Sequence, residues 1–448
     1  MLRPALLVAA LAAAFPVYAD ADLDALRAEL KEMKTAYEAR IQALESRLQQ
    51  AETSAEVIAA AEPAARSGSF NPDVSLILQG KYAHLEKRDE RGVTGFLPAG
   101  EHGHGGTGRG FSIDGSELVL SASVDPYFRG YLNAVLADES VEVEEAWFQT
   151  TGLGNGLSIK GGRFRSGLGY QNAQHPHAWD FATNTLVYEA LFGEGYGQDG
   201  VQFKWLSPTD TFLEFGAELG NGNAFPATDN DRNGASSVAL FAHVGDDIGV
   251  SNSWRAGLSW LRATPRGRAF EGHDIHDVEV VGDFSGNSRT WLADFVWKWA
   301  PDGNAAQQNF KFAAEYFRRD ESGTLACDDA TAAPSLCTGG LAAPFSADQS
   351  GFYAQGVYQF MPRWRAGYRY DQLFRGEVRF NDADAGATLG SLADYDPKRH
   401  SLMLDYNPSE FTRIRLQYSL DQAQQGVDED QFYVQYSHSL GSHGAHKF

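Results

Sequence analysis

The sequence lacks a long apolar run after its first residues and has a low overall hydropathy. Beyond residues 1–19, no stretch approaches the ~20 apolar residues that a membrane-spanning helix needs. The chain has only 4 Met and a mean hydropathy of -0.36, yet it contains 9 Trp, 18 Tyr and 28 Phe. Aromatic girdles around a polar lumen are typical of a transmembrane β-barrel, and a water-soluble β-sandwich is the alternative.

Cysteine and positive charge are also scarce. The only two cysteines, Cys327 and Cys337, lie in one Gly/Ala/Pro-rich stretch without a CxxC pattern, which predicts a disulfide that closes a loop in an oxidising compartment. The chain has 37 Lys and Arg against 59 Asp and Glu, a net charge of -22. A charge of this sign argues against nucleic acid as a partner, because phosphates require clustered cations.

The N-terminal part of the sequence divides into three segments. Residues 1–19 carry Arg3, an apolar run and a small-residue cleavage pattern, which predicts a secretory signal peptide. Residues 20–62 contain no Gly or Pro, and their apolar side chains recur every three or four positions, which predicts a short periplasmic coiled coil. Residues 63–73 are predicted to be a linker, and the apolar period changes to two after it.

Residues 74–448 predict an all-β transmembrane barrel with sixteen antiparallel strands. Each segment alternates in character and has about the length of a tilted membrane strand. Short turn-rich links and long polar links alternate between the segments, as expected when the two barrel ends face the periplasm and the exterior. The predicted strands are 74–86, 111–124, 127–137, 140–151, 157–165, 198–206, 211–220, 236–244, 252–263, 288–300, 308–319, 350–360, 363–373, 398–407, 411–421 and 430–440.

This arrangement resembles the phosphate-selective porin O/P family. The resemblance covers nearly the whole chain and includes Phe70-Asn71-Pro72 before the first strand, the long third outer loop at 166–197 and the C-terminal Phe448. It implies a homotrimer in the outer membrane and passive diffusion of small hydrophilic solutes. It also implies a third loop that folds inward to narrow each pore.

Two predicted strands place arginines on one face, with apolar side chains between several of them. An arginine on the lipid face would cost ~2–4 kcal/mol at mid-membrane, so these side chains are expected to line the pore and to favour anions. The predicted electropositive wall consists of Arg363, Arg365, Arg369, Arg413 and Arg415. The third loop lacks Lys and Arg from Gly167 to Gly197, which predicts a preference that differs from phosphate selectivity or is weaker. Its expected constriction residues are Tyr170, His175, His177 and Asp180.

Histidine pairs are candidate ligands for zinc, because paired neutral imidazoles are common metal ligands. The candidates are His102, His104, His175 and His177, although Gly-rich surface loops also tolerate histidine freely. Residues 229–234 match the first half of a calcium loop, but Leu240 stands where the bidentate glutamate is expected. No cofactor is required by either pattern.

The remaining alternatives concern what the barrel does. No spacing of Ser, His and acidic residues indicates a catalytic site, so an enzyme is not predicted. A plugged transporter would need a plug domain and about 22 strands, for which the chain is too short. A metal-responsive channel, or a barrel that anchors a tether to peptidoglycan through residues 20–62, stays open beside the diffusion porin.

Overall fold

Alternation of polar and apolar side chains shapes the fold. The computed structural model describes residues 72–86, 92–98, 108–136, 140–228, 233–330 and 335–441. In the strand Thr412–Gln422, Arg413 and Arg415 are buried whereas Ile414 and Leu416 are exposed. Because successive side chains of a strand point to opposite faces, each such strand has one polar and one apolar face.

The described residues form nineteen strands and one α-helix. The strands are β1 (Asp73–His84), β2 (Gly110–Ser112), β3 (Ser116–Asp125), β4 (Phe128–Leu136), β5 (Val141–Thr150), β6 (Leu157–Arg165), β7 (Gly197–Leu206), β8 (Phe212–Gly220), β9 (Ser237–Ile248), β10 (Asn252–Ala263), β11 (Arg268–His273), β12 (Glu279–Trp299), β13 (Asn309–Asp329), β14 (Leu341–Met361), β15 (Trp364–Phe380), β16 (Ala383–Asp384), β17 (Lys398–Ser409), β18 (Thr412–Gln422) and β19 (Glu429–Gly441). The helix α1 is Leu186–Phe192, and short 3-10 turns lie at Gln171–Ala173, Pro176–Ala178, Pro301–Gly303, Ala385–Ala387 and Gly390–Leu392.

The sheet closes on itself. β1 pairs antiparallel with β19 on one side and with β3 on the other, so the first and last barrel strands are neighbours. Without the short strands β2, β11 and β16, the ring contains sixteen antiparallel strands, as the sequence predicts. Closure leaves the described ring itself without a free edge, so the backbone groups of its strands can find partners there.

The outer face of the ring is apolar and the inner face is polar. Phe203, Trp291, Leu402 and Leu416 are among the exposed large apolar side chains of the strands. The inward positions are occupied largely by Gln, Ser, Asp, Glu and Arg side chains. This is the distribution that a barrel in a lipid bilayer requires, since lipid contacts the outer face. Among the described residues, no helix is both long and apolar enough to cross a membrane.

Four strands extend beyond their predicted ends. β12 and β14 begin nine residues before the predicted 288–300 and 350–360. β13 and β15 end ten and seven residues after the predicted 308–319 and 363–373. The stretches 264–287, 320–349 and 374–397 are long polar links in the sequence prediction. Outside the membrane the outward face of a strand needs no apolar residues. The sequence of these outer parts therefore lacks the apolar positions from which a strand is predicted.

The extended part encloses its own apolar core. Val280, Phe284, Leu325, Phe345 and Val378 are buried together on its inner side. Cys327 and Cys337 are joined by a disulfide and belong to the same cluster, with their Cα atoms 5.5 Å apart. The segment 111–124 is also divided, because a turn at 113–115 separates β2 from β3. The predicted signal peptide, coiled coil and most of the linker lie outside the described residues.

Candidate functional site

The connection between β6 and β7 runs inside the barrel. Its helix α1 buries Leu186, Val187 and Leu191 completely, and it packs against the inward side chains Phe241 and Phe317 of the wall. Gly193 ends the helix in the left-handed conformation at φ 74°, which a side chain would disfavour. The inner wall presents apolar side chains to α1 where the two are in contact. Residues 166–196, called the inner loop below, therefore occupy part of the lumen.

Asp180 attaches the inner loop to the part of the barrel wall formed by β13, β14 and β15. Its carboxylate accepts from Lys311 Nζ at 2.6 Å and from Gln355 Nε2 at 2.9 Å, and it lies 3.6 Å from Arg365 Nη1. Burial would raise the pKa of this carboxyl group, but Lys311 and Arg365 lower it below the usual value. Tyr170, the first predicted constriction residue, is held by its backbone N–H, which donates to Glu315 at 2.6 Å.

The predicted wall arginines lie inside the barrel with one exception. Arg363 occupies the turn between β14 and β15 at φ 71° and is exposed, so it does not continue the inward row of Arg365 and Arg369. Alternation fails at this position because the turn ends the regular pairing before β15 begins at Trp364. Arg413 and Arg415 are 1% and 0% exposed.

These arginines bind protein groups at close range. Arg415 Nε donates to Asp405 at 2.7 Å, and Arg369 Nη1 donates to the carbonyl oxygen of Thr183 at 2.9 Å. Arg413 Nη2 donates to the carbonyl oxygen of His177 at 2.6 Å. Their charge is thus used to hold the wall and the inner loop together. The structure gives these side chains a positioning role that strand alternation alone does not predict.

His175 and His177 lie among three carboxylates on the opposite side of the inner loop. We call Glu117, Glu144, Glu145, His175 and His177 the Glu–His cluster. His175 Nδ1 is 2.8 Å from Glu144 Oε2, and His175 Nε2 is 3.0 Å from Glu145 Oε2. His177 Nδ1 is 2.7 Å from Glu117 Oε1. Two of the predicted metal-site histidines are therefore together, whereas His102 and His104 lie outside the described residues.

A β-bulge produces this cluster. Asn133 of β4 pairs with Glu145, and the next residue Ala134 pairs with Val143, so Glu144 is an extra residue in β5. A bulge changes the direction of a side chain, and here it lets the consecutive Glu144 and Glu145 both reach His175. Strict alternation would send one of them to the outer face, which is why sequence reasoning missed these glutamates. The sequence does contain one indication of the bulge, because the adjacent Glu144 and Glu145 interrupt the alternation of Val and Glu in residues 141–145.

The electrostatics of His175 follow from its carboxylate neighbours. Burial alone would lower the pKa of the imidazole, because a charged ring is less stable away from water. Hydrogen bonds to Glu144 and Glu145, together with the charges of Glu117 and Glu144, outweigh burial and raise the pKa to about 10. These carboxylates therefore favour the protonated form of His175, which joins the inner loop to β3 and β5.

A cavity of about 580 Å³ remains beside the inner loop. It extends from the long-loop end, at Val93 and Ala423, to Pro176 and Trp179 of the inner loop. The charged side chains that line it include eight acids and three bases. The acids are Asp114, Glu117, Glu142, Glu144, Glu189, Glu194, Asp421 and Glu429, and the bases are Lys81, Arg165 and Arg399. None of the five predicted wall arginines lines this cavity.

Comparison with curated proteins places the chain in a family. A protein of Aquifex aeolicus (strain VF5), described as an uncharacterized protein, is 32% identical over 403 residues, which cover 85% of this chain and 80% of the relative. The chain belongs to the family of that protein. No protein-family model matches the chain, so membership in the phosphate-selective porin O/P family stays a resemblance.

Solved outer-membrane proteins are similar at a lower level. OmpT of Vibrio cholerae in its trimer form has a TM-score of 0.49 and 14% identity, covering 83% of this chain and 99% of OmpT. The outer-membrane channel DcaP of Acinetobacter baumannii has a TM-score of 0.48 and 13% identity over 84% and 99% of the two chains. An anion-selective porin from Comamonas acidovorans has a TM-score of 0.48 and 10% identity over 83% and 99%. At these values the similarities do not decide the function of this chain.

Proposed function

We propose that this protein is an outer-membrane diffusion porin that passes small hydrophilic solutes with a preference for cations. The observation that carries the proposal is the acid-lined cavity inside a closed barrel whose outer face is apolar. An apolar outer band requires lipid around the barrel, and a polar interior holds water. The short turns would then face the periplasm and the long loops the exterior.

The preference for cations follows from the placement of charge. Each of the three bases is paired with one of the eight acids, at Lys81–Asp114, Arg165–Glu144 and Arg399–Asp421. The acids that remain in excess attract cations and repel anions, because selectivity in a pore depends on the charges that line it. An anion preference was expected from the arginines on β15 and β18. Arg365 and Arg415 instead share the carboxylate of Asp405, and Arg369 is paired with Asp371, which offsets two of their three charges locally.

The assembly and the N-terminal segment complete the proposal. We infer a homotrimer with one pore in each subunit, and a periplasmic coiled coil over residues 20–62 that supports the trimer or contacts peptidoglycan. The resemblance to trimeric porins and the heptad spacing of those residues support this part. The chain needs no cofactor for diffusion, and no catalytic activity is proposed.

Liposome swelling tests the existence of the pore. Liposomes that contain the folded protein should swell in isotonic arabinose or glycine and much more slowly in a trisaccharide, because the inner loop occupies part of the lumen. Liposomes with heat-unfolded protein are the control. Equal rates for all solutes would contradict a narrowed pore, and rates equal to the control would contradict the porin itself.

Glu194 predicts a dependence of selectivity on pH. Burial of this side chain among the residues around the cavity raises the pKa of its carboxyl group, and repulsion from Glu189 and Glu144 raises it further. Arg165 and Lys81 lower the pKa by less, so it is about 7. Protonation as the pH falls from 8 to 6 removes one negative charge from the cavity. We expect the cation-to-anion permeability ratio to fall over this range, as measured by zero-current potentials.

The matched variant for this prediction is Glu194→Gln, which is neutral at every pH. Its permeability ratio should stay nearly constant between pH 6 and pH 8 and should equal that of the wild type at the lower pH. An identical pH dependence in the two proteins would mean that another group titrates in the pore.

A further inference from the structure

The Glu–His cluster brings several possible metal-ligand atoms close together. Glu117, Glu144 and His175 can each present one ligand atom within 4.8 Å of the other two. His175 Nδ1 is 2.8 Å from Glu144 Oε2 and 3.5 Å from Glu117 Oε2. Ligands bound tetrahedrally at ~2.0–2.1 Å are about 3.3 Å apart, so these separations fit one small metal ion with little adjustment.

Asn133 supplies a fourth atom at the same place. Its amide nitrogen is 2.8 Å from Glu117 Oε2, 3.3 Å from Glu144 Oε2 and 3.0 Å from His175 Nδ1. The side chain is 0% exposed, and among the described residues its Oδ1 accepts no hydrogen bond. Rotation of the amide by 180° exchanges the two atoms, which places this unpartnered oxygen among the carboxylate and imidazole atoms.

Each of the three ionisable candidate ligands is also held by a partner on its far side. His175 Nε2 is 3.0 Å from Glu145 Oε2, the arrangement in which a metal-bound imidazole donates its other N–H to a carboxylate. The second oxygens of the two acidic ligands are bound as well. Glu117 Oε1 is hydrogen-bonded to His177, and Glu144 Oε1 is bound by Arg165. The remaining atoms, Glu117 Oε2, Glu144 Oε2 and His175 Nδ1, face one another.

We propose that Glu117, Glu144, His175 and the amide oxygen of Asn133 bind one divalent first-row transition metal ion. One imidazole nitrogen and three oxygens suit zinc and its neighbours. Calcium prefers six to eight oxygen ligands, and magnesium retains several waters, so neither matches this set as well. The bulge in β5 serves this site, because without it Glu144 and Glu145 could not act as ligand and outer partner of the same histidine.

The consequence for the pore rests on the proposed function, whereas the binding itself does not. Glu117 and Glu144 both line the cavity. A dication that binds there displaces the proton from Nδ1 of His175 into solution, so binding adds one net positive charge beside Glu117 and Glu144. In a conducting pore, zinc is therefore expected to lower the cation-to-anion permeability ratio.

Zinc binding to the purified full-length protein in detergent tests the site without reference to conduction. Competition with a chromophoric zinc indicator should reveal one equivalent bound at micromolar zinc or below. His175→Gln and Glu144→Gln should weaken this equivalent by about a hundredfold or more, and Glu145→Gln by about 10–100-fold, as for other outer partners of metal ligands. His400→Gln is the matched control. His400 lies on the outer face of the barrel beside Tyr368, so this variant should leave zinc binding unchanged.

A second measurement keeps the proposal testable if a variant fails to fold. Cobalt added to the wild-type protein should give the intense visible absorption of a four-coordinate ion, and zinc should displace it. The absence of a stoichiometric site in the wild type, or full binding by folded His175→Gln, would overturn the proposal. If zinc binds as described but the protein conducts no ions, the porin proposal fails and the metal site stands.

Discussion

Replacement of Asp180 by Asn should loosen the attachment of the inner loop to β13 and β15. The substitution removes the negative charge that faces Lys311 and Arg365, and loss of one partner of a buried ion pair costs about 3–5 kcal/mol. The barrel strands keep their pairing, so the effect should be confined to the loop. Because opening of a folded segment limits its proteolysis, cleavage of the inner loop should become about a hundredfold faster or more.

Chymotrypsin is the suitable protease for this measurement. The inner loop contains Tyr170, Trp179 and Tyr188 but no Lys or Arg, so trypsin cannot report on it. The matched control is Asp348→Asn, which breaks an ion pair with Arg318 in which the side chains are 49% and 53% exposed. An exposed pair contributes ~0–1 kcal/mol, so cleavage should stay within a few-fold of the wild type. A similarly small change in Asp180→Asn would show that Asp180 does not hold the loop.

Reversal of two cavity charges should change ion selectivity strongly. Glu142 and Glu194 line the cavity and both are exposed in it, so replacing them by Lys tests charge with little effect on packing. The double variant Glu142→Lys/Glu194→Lys adds four positive charge units. Each unit is worth ~1 kcal/mol at close range in water, which is a factor of about five. We expect the cation-to-anion permeability ratio to fall at least tenfold in 0.1 M KCl.

The salt concentration and a surface variant provide the controls. At 1 M KCl the Debye length is about 3 Å, so the difference between the variant and the wild type should shrink. Glu271→Lys/Glu377→Lys introduces the same charge change at exposed positions that do not line the cavity, and it should leave selectivity nearly unchanged. Equal selectivity of the cavity variant and the wild type would mean that ions take another path.

The sequence predicts the ring of strands because a lipid-facing face requires apolar residues at every second position. Ile414 and Leu416 alternate with Arg413 and Arg415 in this way, and the closed ring of sixteen strands agrees with the prediction. Outside that band the requirement disappears. The outer halves of β12 to β15 therefore have polar outward faces and were expected to be loops.

The site is less predictable because it depends on departures from regular pairing. The alternation of β15 and β18 places Arg365 and Arg413 inward, but it does not reveal that they bind Asp405 and the inner-loop carbonyl group of His177. The choice of His175 and His177 from their spacing identifies one half of the Glu–His cluster. The other half depends on a single extra residue in β5, and the partner of a bulge is set by tertiary pairing that spacing does not encode.

Zero-current potential across a planar bilayer is the most direct test of the central claim that solutes pass through an acid-lined cavity. The folded wild-type protein should give stepwise conductance in a KCl gradient at pH 7.5. The account predicts a potential with the sign of potassium diffusion, and greater selectivity at 0.1 M than at 1 M salt. A potential with the sign of chloride diffusion, or a complete lack of conductance by folded protein, would contradict it.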